Sequence, residues 1–214
     1  MRFKKIFAVV MAAAVTLSTL NGFHSFSAPK TAKAASFVDL NQSQIASAMG
    51  AGWNLGNQLE ASLNGTPNET CWGNPTINAN LIKAVKNAGF RSIRIPVSYL
   101  GKISSNSSYT IDSSWLNRVV DMCIANDLYV IINMHGDGYH SVDGGWLFCD
   151  GSNQTAIRAK YKACWKQIAT RFRSYDQHLI FESMNEEFDG TYGTPNRTYY
   201  ENINQLNQIF VDTV

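Results

Sequence analysis

The residues best placed to do chemistry are Asn185 and Glu186, which follow the apolar run 179–181. A strand that ends in Asn-Glu puts a carboxyl group, with an amide beside it, at the rim of a sheet. Hydrolysis of a glycosidic bond uses such a group to protonate the leaving oxygen, together with a second carboxylate opposite it. A partly desolvated Glu near another negative charge can stay protonated near neutral pH. The pair therefore suggests acid/base chemistry at Glu186, although Asn-Glu alone is equally typical of a turn.

A second carboxylate, Glu182, lies four residues earlier in the same predicted strand. Side chains alternate along a strand, so Glu182 and Glu186 share one face, which is the inner face if the sheet closes as a barrel. A buried Glu needs a partner, and Arg94 in the short run 92–97 is the expected one. We interpret Glu182 as structural rather than catalytic.

Further candidates follow the third predicted strand. His135 lies in a polar loop between Asn133 and Asp137, where a lone His is either a site residue or a hydrogen-bonded core residue. Tyr139 and Trp146, later in that loop, are candidates for stacking on a flat ligand such as a sugar ring, with packing as the alternative.

The elements that must position these residues alternate as strand and helix after residue 36. Strands are predicted within 50–57, over 92–97 and 129–132, and from 179 towards Asn185 and Glu186. Helices are predicted at 79–88, from 115, around 161–172 and around 200–210. Gly89 is expected to cap the first helix, and Asp112 or Ser113 the second. Strict alternation indicates a parallel α/β sheet, either doubly wound or closed as a barrel. A (β/α)8 barrel needs eight units in roughly 250 residues, so four units make half of one.

Each predicted strand ends in a polar cluster, and the clusters are Asn54–Asn57, Arg94–Ser98, Asn133–Tyr139 and Asn185–Asp189. In both α/β architectures, sites gather at this edge because the following loops converge there. Asn54 is thereby a candidate for binding the same ligand. There is no GxGxxG phosphate loop, which argues against nucleotide binding. Two carboxylates suffice for the hydrolysis, so we expect neither metal nor cofactor.

The first 34 residues differ from the rest. Arg2, Lys4 and Lys5 precede an apolar run from Ile6 to about residue 20, and the segment closes with Ala-Lys-Ala at 32–34. This pattern predicts a secretory signal peptide over residues 1–34, with a retained membrane anchor as the alternative. Residues 35–214 are then expected to be secreted, without membrane contact after cleavage.

Removing that segment changes the charge of the protein. Five of the 18 basic residues and none of the 16 acidic residues lie in it, which leaves 13 basic against 16 acidic residues and a net charge of −3. The apparent basicity belongs to the export signal, so nothing in the charge favours nucleic acid as a partner.

Four cysteines remain, and they do not have the spacing of a zinc site. Export would permit disulfides. Cys123 and Cys164, however, fall on apolar faces of predicted helices, which favours free thiols in the core. The sequence leaves open whether Cys71 and Cys149 are free thiols or form a disulfide.

Four stretches together resemble glycoside hydrolase family 5, in its secreted bacterial cellulase branch. In chain order they are Gly52–Asn57, Arg91–Ser98, Val130–Gly136 and Phe181–Glu186. Each stretch alone is weak evidence for the resemblance, but all four in this order at the ends of successive strands are highly specific for the family. The resemblance implies a (β/α)8 barrel, of which residues 35–214 hold the first four βα units. It also implies endo-hydrolysis of β-1,4-glucan with retention of configuration.

The resemblance implies roles for single residues as well. Glu186 would be the acid/base, and Asn185 would bind the sugar 2-hydroxyl and support the nucleophile. Arg94 would help to hold the nucleophile ionised, and His135 would line the cleavage subsite. The family's nucleophile is a Glu on the seventh strand, so we expect these 214 residues alone to be inactive and to fold poorly.

Two positions depart from the family pattern. Glu187 stands where Pro usually follows Asn-Glu, and its carboxylate either raises the pKa of Glu186 or points to solvent. Gly136 stands where many relatives carry a second His. The alternatives that stay open are mannan or xyloglucan as the substrate, and a non-catalytic protein that binds carbohydrate in an aromatic-lined cleft.

Overall fold

A computed structural model describes residues 37–112, 114–186 and 196–214. The strands are β1 (Gly52–Asn54), β2 (Ser62–Leu63), β3 (Thr66–Pro67), β4 (Ser92–Ile95), β5 (Tyr129–Ile132) and β6 (Leu179–Phe181). The helices are α1 (Gln42–Met49), α2 (Ala79–Asn87), α3 (Ser114–Ile124), α4 (Gln154–Phe172) and α5 (Arg197–Thr213). The predicted signal peptide, the possible cap Ser113 and the departure at Glu187 lie outside the described residues. Within these ranges, no helix is long and apolar enough to span a bilayer.

Strands β1, β4, β5 and β6 form a single parallel sheet in the order in which they occur in the chain. Asn54 pairs with Arg94, Ile95 with Ile132, and Ile132 with Phe181, so the strands end at nearly the same level. A doubly wound sheet reverses its strand order at a switch point, whereas this order runs in one direction. The four strands and their helices are therefore the first four βα units of a barrel, as predicted.

Helices α3 and α4 each pack through an apolar stripe with helical spacing. The buried side chains of α3 include Leu116, Val119, Val120 and Cys123, and those of α4 include Tyr161, Cys164, Trp165, Ile168 and Phe172. Asn78, Asn153 and Asn196 begin α2, α4 and α5 by accepting hydrogen bonds from backbone N–H groups of the first turn. Such caps satisfy donors that have no partner within the helix. Gly89 follows α2 with φ +95°, as expected of the residue that ends a helix.

One tryptophan joins the last two βα units. Trp165 is fully buried, and its ring centroid lies 5.9 Å from that of Phe181 in β6 and 4.7 Å from that of Phe210 in α5. These tilted and edge-on contacts are the favourable arrangements for aromatic rings. They hold β6 in place immediately before the residues that carry the polar cluster.

Two short elements are absent from the sequence-based prediction. Helix α1 precedes the sheet and begins with a capping box between Asn41 and Gln44. Strands β2 and β3 form a hairpin around Asn64 and Gly65, whose φ angles are 51° and 71°. An Asn-Gly pair is the typical two-residue hairpin turn because both positions need positive φ. Two-residue strands are too short to show alternation, so the turn was the one available signal.

Cys123 and Cys164 are free thiols in the core, as predicted. Burial raises the pKa of each thiol to about 12. A thiol with such a pKa stays protonated and unreactive at neutral pH, because the thiolate is the nucleophilic form. These two cysteines therefore serve packing.

Candidate active site

The carboxyl edge of the sheet brings the predicted polar residues together. Beyond the regular strands, hydrogen bonds between neighbours continue from Leu55 N to Arg94 O (2.8 Å) and from His135 N to Val97 O (2.8 Å). They continue also from Asn185 N to Met134 O (2.9 Å). The backbone is thus fixed past the last strand residue, and the side chains that follow lie on one rim.

Arg94 is the centre of this rim. Its Nε and Nη2 donate to the two carboxylate oxygens of Glu182 at 2.7 and 2.5 Å. Nη2 also donates to Asn185 Oδ1 (3.1 Å), and Nη1 donates to Asn54 Oδ1 (3.3 Å). The predicted pairing of Arg94 with Glu182 is confirmed. The hydrogen bond to Glu182 raises the pKa of Arg94 above its ordinary value, against the opposing effect of burial.

Glu182 is an ion-pair partner rather than a free acid. Strand β6 ends at Phe181, so Glu182 follows the strand instead of lying within it, and its side chain is 31% exposed rather than buried. Asn133 Nδ2 donates to it at 3.0 Å. Burial would raise the pKa of Glu182, but hydrogen bonds from Arg94 and Asn133 and the nearby positive charge lower it below its ordinary value. The carboxylate is therefore ionised and engaged by three N–H donors.

His135 is held as a neutral ring. Asn133 accepts a hydrogen bond from Val97 N through Oδ1 (3.1 Å), so its Nδ2 is the atom that faces His135 Nδ1 at 3.2 Å. Because that neighbour is a donor, Nδ1 accepts and the ring proton lies on Nε2. Burial and the charge of Arg94 lower the pKa of His135 to about 4.

Asn185 has a fixed amide, and Glu186 follows it. Asn185 Oδ1 accepts from Arg94, and Nδ2 donates to the Tyr139 hydroxyl at 3.3 Å. Glu186 is exposed rather than partly desolvated as the sequence suggested, and its charge contributes to the raised pKa of Arg94. A carboxyl group that solvent and ligand can reach, beside an oriented amide, is the arrangement that acid/base chemistry needs.

A cleft of about 150 Å³ opens beside these residues. Its lining is Asn57, Glu60, Ser62, Trp72, His135, Gly136, Tyr139 and Val142. Trp72 is 52% exposed at its rim. Glu60 is nearly buried, and its two oxygens accept from Asn57 N (2.5 Å) and Gln58 N (2.9 Å). Sequence reasoning missed Glu60 and Trp72, because both lie in loops without a repeating pattern.

Trp146 does not line this cleft. Its indole Nε1 donates to Asp137 Oδ1 at 2.9 Å, and the Lys160 ammonium group lies 4.2 Å from the centroid of its ring. The structure therefore unites Asn54, Arg94, His135, Tyr139, Asn185 and Glu186 at one edge, whereas Trp146 does not line the cleft. A sugar-stacking role for Trp146 stays a prediction. Among the residues described, no three His, Cys, Asp or Glu side chains are grouped to hold a metal ion.

Comparisons with known proteins agree with this geometry. The family model for cellulase (glycosyl hydrolase family 5) matches residues 56–214. The chain belongs to glycosyl hydrolase family 5. It is 62% identical over 186 residues to Endoglucanase A of Paenibacillus barcinonensis, covering 86% of this chain and 46% of that protein. The chain thus spans about half the length of this curated relative.

Two solved family 5 structures are similar to the described fold. One is a family 5 xyloglucanase from Paenibacillus pabuli in complex with ligand, with a TM-score of 0.77 and 67% identity. That match covers 80% of this chain and 48% of the xyloglucanase. The other is a broad-specificity endoglucanase from Ruminococcus champanellensis with bound cellotriose, with a TM-score of 0.73 and 39% identity. It covers 84% of this chain and 54% of the other.

The Arg94–Glu182 pair should contribute measurably to stability. In the whole protein, Glu182→Gln should lower the free energy of unfolding by about 1–3 kcal/mol, because it leaves a partly buried guanidinium without its counter-charge. The matched control is Glu201→Gln. Its partner Arg197 has a 91% exposed side chain, so that substitution should change the free energy by less than about 0.5 kcal/mol. Equal effects in urea denaturation would contradict a structural role for Glu182.

His135 should remain uncharged over the working pH range of most hydrolases. With its pKa lowered to about 4, the ring gains a proton only as the pH falls towards that value. Nuclear magnetic resonance of the whole protein with ¹³C-labelled histidine measures this directly, and His135→Gln identifies the resonance. A midpoint near the ordinary value of about 6.5 would contradict the expected burial.

Proposed function

We propose that the whole protein is a retaining glycoside hydrolase that cleaves β-1,4-glucan chains internally. The observation that carries this proposal is the position of Glu186, exposed at the carboxyl edge of the sheet directly after the oriented amide of Asn185. The endoglucanase and xyloglucanase relatives support the same class of reaction.

Glu186 is the proposed acid/base. In the first step its carboxyl proton goes to the leaving glycosidic oxygen while a second carboxylate attacks the sugar from the other face. In the second step the Glu186 carboxylate takes a proton from the water that hydrolyses the covalent intermediate. The resemblance assigns that nucleophile to a Glu of the seventh strand, and these 214 residues hold four barrel strands.

Asn185 and Arg94 are proposed to orient the sugar and the nucleophile. Arg94 occupies Asn185 Oδ1, so the amide presents Nδ2 as a donor. One N–H of that group reaches the Tyr139 hydroxyl, and we propose that the second donates to a sugar 2-hydroxyl. Because Glu182 balances the charge of Arg94, Arg94 supplies fixed donors more than net positive charge. Fixed donors need no reorganisation when charge develops in the transition state.

The cleft residues are proposed to bind the neighbouring sugars. His135 offers a neutral N–H donor, and Asn54 offers an amide at the rim. Tyr139 and the half-exposed Trp72 provide aromatic faces suited to sugar rings. Trp146 remains a candidate of the same kind.

Xyloglucan is the second candidate substrate. The specific observation in its favour is the 67% identity to the Paenibacillus pabuli xyloglucanase. Xyloglucan has the same β-1,4-glucan backbone, so the acid/base residue and its neighbours need no change. Comparing kcat/KM for carboxymethylcellulose and xyloglucan distinguishes the two.

We further propose that residues 1–34 direct export and are removed, so that the enzyme acts outside the cell on polysaccharide. A secreted location suits a substrate too large to enter, and the net charge of −3 after removal does not favour nucleic acid as a partner.

The acid/base role predicts a substrate-dependent loss of activity. In the whole protein, Glu186→Ala should lower kcat about 10²–10⁴-fold on substrates with poor leaving groups, which require protonation. It should lower the rate of the first step far less on aryl glycosides, whose leaving groups depart without protonation. Added azide should restore turnover and yield a glycosyl azide of retained configuration, because azide replaces water in the step that needs a base.

Glu182→Ala is the matched control, since it removes a carboxylate from the same edge. It should lower activity on both substrate types alike and show no rescue by azide. The 214 residues alone, with one of the two required carboxylates, should release no reducing sugar. If Glu186→Ala loses activity equally on both substrate types, or if the azide product is inverted, the assignment of Glu186 is wrong.

A further inference from the structure

One loop on the cleft is closed by a carboxylate that the proposed reaction does not use. The Asp137 loop, defined here as residues 137–147, follows β5 and places Tyr139 and Val142 in the cleft lining. Asp137 lies at its base and is fully buried.

Four hydrogen bonds to Asp137 close the loop. Its backbone oxygen accepts from Trp146 N (2.7 Å) and from Leu147 N (2.9 Å). Its carboxylate accepts from Trp146 Nε1 (2.9 Å) and from Tyr99 N (3.0 Å), which belongs to the segment after β4. A single residue therefore joins the two ends of the loop to each other and ties both to the neighbouring βα unit.

The buried environment of Asp137 disfavours the ionised form of its side chain. Burial raises its pKa to about 6, although hydrogen bonds from Tyr99 and Trp146 act in the other direction. Lys160, in α4, is the nearby cation, and its own pKa is lowered by burial. A buried carboxylate is weak evidence for stability, because desolvation offsets much of what its partners contribute. The two donors to this carboxylate, Tyr99 N and Trp146 Nε1, are instead held in fixed positions relative to each other.

The closed loop fixes the position of Tyr139 in the site. Tyr139 lies two residues beyond Asp137, and its hydroxyl accepts from Asn185 Nδ2 at 3.3 Å. The far side of the loop packs against the hairpin turn, where a Cβ added to Gly65 would lie 2.8 Å from Asp143 O. The loop is therefore held at its base and at its tip, with Tyr139 between the two.

We propose that Asp137 is a positioning residue that sets the Tyr139 hydroxyl against the Asn185 amide by closing the loop. The inference rests on the proposed function, since it assigns to Asn185 and Tyr139 a place in substrate binding. Asp137 itself touches no substrate and acts through Tyr139.

A double-mutant cycle in the whole protein tests this connection. Asp137→Asn keeps the size of the side chain but sets an amide N–H₂ group against one of the two donors. We expect Asp137→Asn and Tyr139→Phe each to lower kcat/KM about tenfold on a fluorogenic cello-oligosaccharide, mainly through KM. Residues that act through one another are not additive, so Asp137→Asn should cost less than about threefold in the Tyr139→Phe background.

Asp121→Asn is the matched control, because Asp121 lies in α3 and accepts from the Tyr175 hydroxyl, and neither residue lines the cleft. It should lower Tm without changing kcat/KM. Trp146→Phe removes one donor to Asp137 and keeps an aromatic ring, so it provides a milder variant should Asp137→Asn fail to fold. It should lower kcat/KM in the same direction, again non-additively with Tyr139→Phe.

Hydrogen exchange separates this inference from the proposed function. Asp137→Asn should speed exchange of the backbone amides in residues 138–147 and leave those of β4 unchanged, whatever the substrate of the enzyme. Unchanged exchange in the loop would overturn the proposal, as would additive losses in the cycle or a Tyr139→Phe variant with unaltered KM. A wild-type protein inactive on all glucans but with the expected exchange pattern would overturn the hydrolase proposal and leave the role of Asp137 in the loop intact.

Discussion

Arg94 and Glu182 form a two-pronged ion pair across the carboxyl edge of the sheet, and the orientation of the site follows from it. Arg94 comes from β4 and Glu182 follows β6, so the pair passes over the end of β5. Asn133, which follows β5, donates to the same carboxylate. Three neighbouring strands are thereby tied together by side chains beyond the point where their backbone ladder ends. Planar, charge-assisted contacts of this kind combine strength with a defined direction.

The groups that would contact a ligand take their orientation from this pair and its neighbours. An amide side chain can be turned either way unless one of its atoms is assigned by a partner. Arg94 assigns Asn185 Oδ1, and Val97 N assigns Asn133 Oδ1, so both N–H₂ groups have one orientation. Asn133 in turn fixes which nitrogen of His135 carries its proton. The donors at the cleft thus have fixed orientations before any ligand binds, and in the proposed reaction this avoids reorganisation.

The sequence predicts the elements of this fold better than the loops that complete the site. Strand β5 was predicted with its observed bounds because a buried parallel strand is a continuous apolar run. Arg94 was predicted as the partner of Glu182 because a buried carboxylate needs a partner and Arg94 lies in the short run that forms a neighbouring strand. Trp72 could not be predicted in the same way, because its place in the cleft depends on how loops of different βα units pack. Trp146 is the opposite case. Its aromatic side chain suggested a ligand contact, but its indole N–H donates to Asp137.

The carboxylates near the cleft differ in what surrounds their oxygens, and this difference separates support from chemistry. Glu60 accepts from two backbone N–H groups, Glu182 from three side-chain donors, and Asp137 from one backbone and one indole N–H. Each of these three is buried or partly buried, and its oxygens are already committed to holding a loop or a strand end. Glu186 differs from them because its side chain is exposed. A group that must give up a proton and then take one back needs an oxygen that the reacting atoms can reach. Of these four carboxylates, Glu186 is the one in that position, which is why we propose it as the acid/base and assign the other three to structural support.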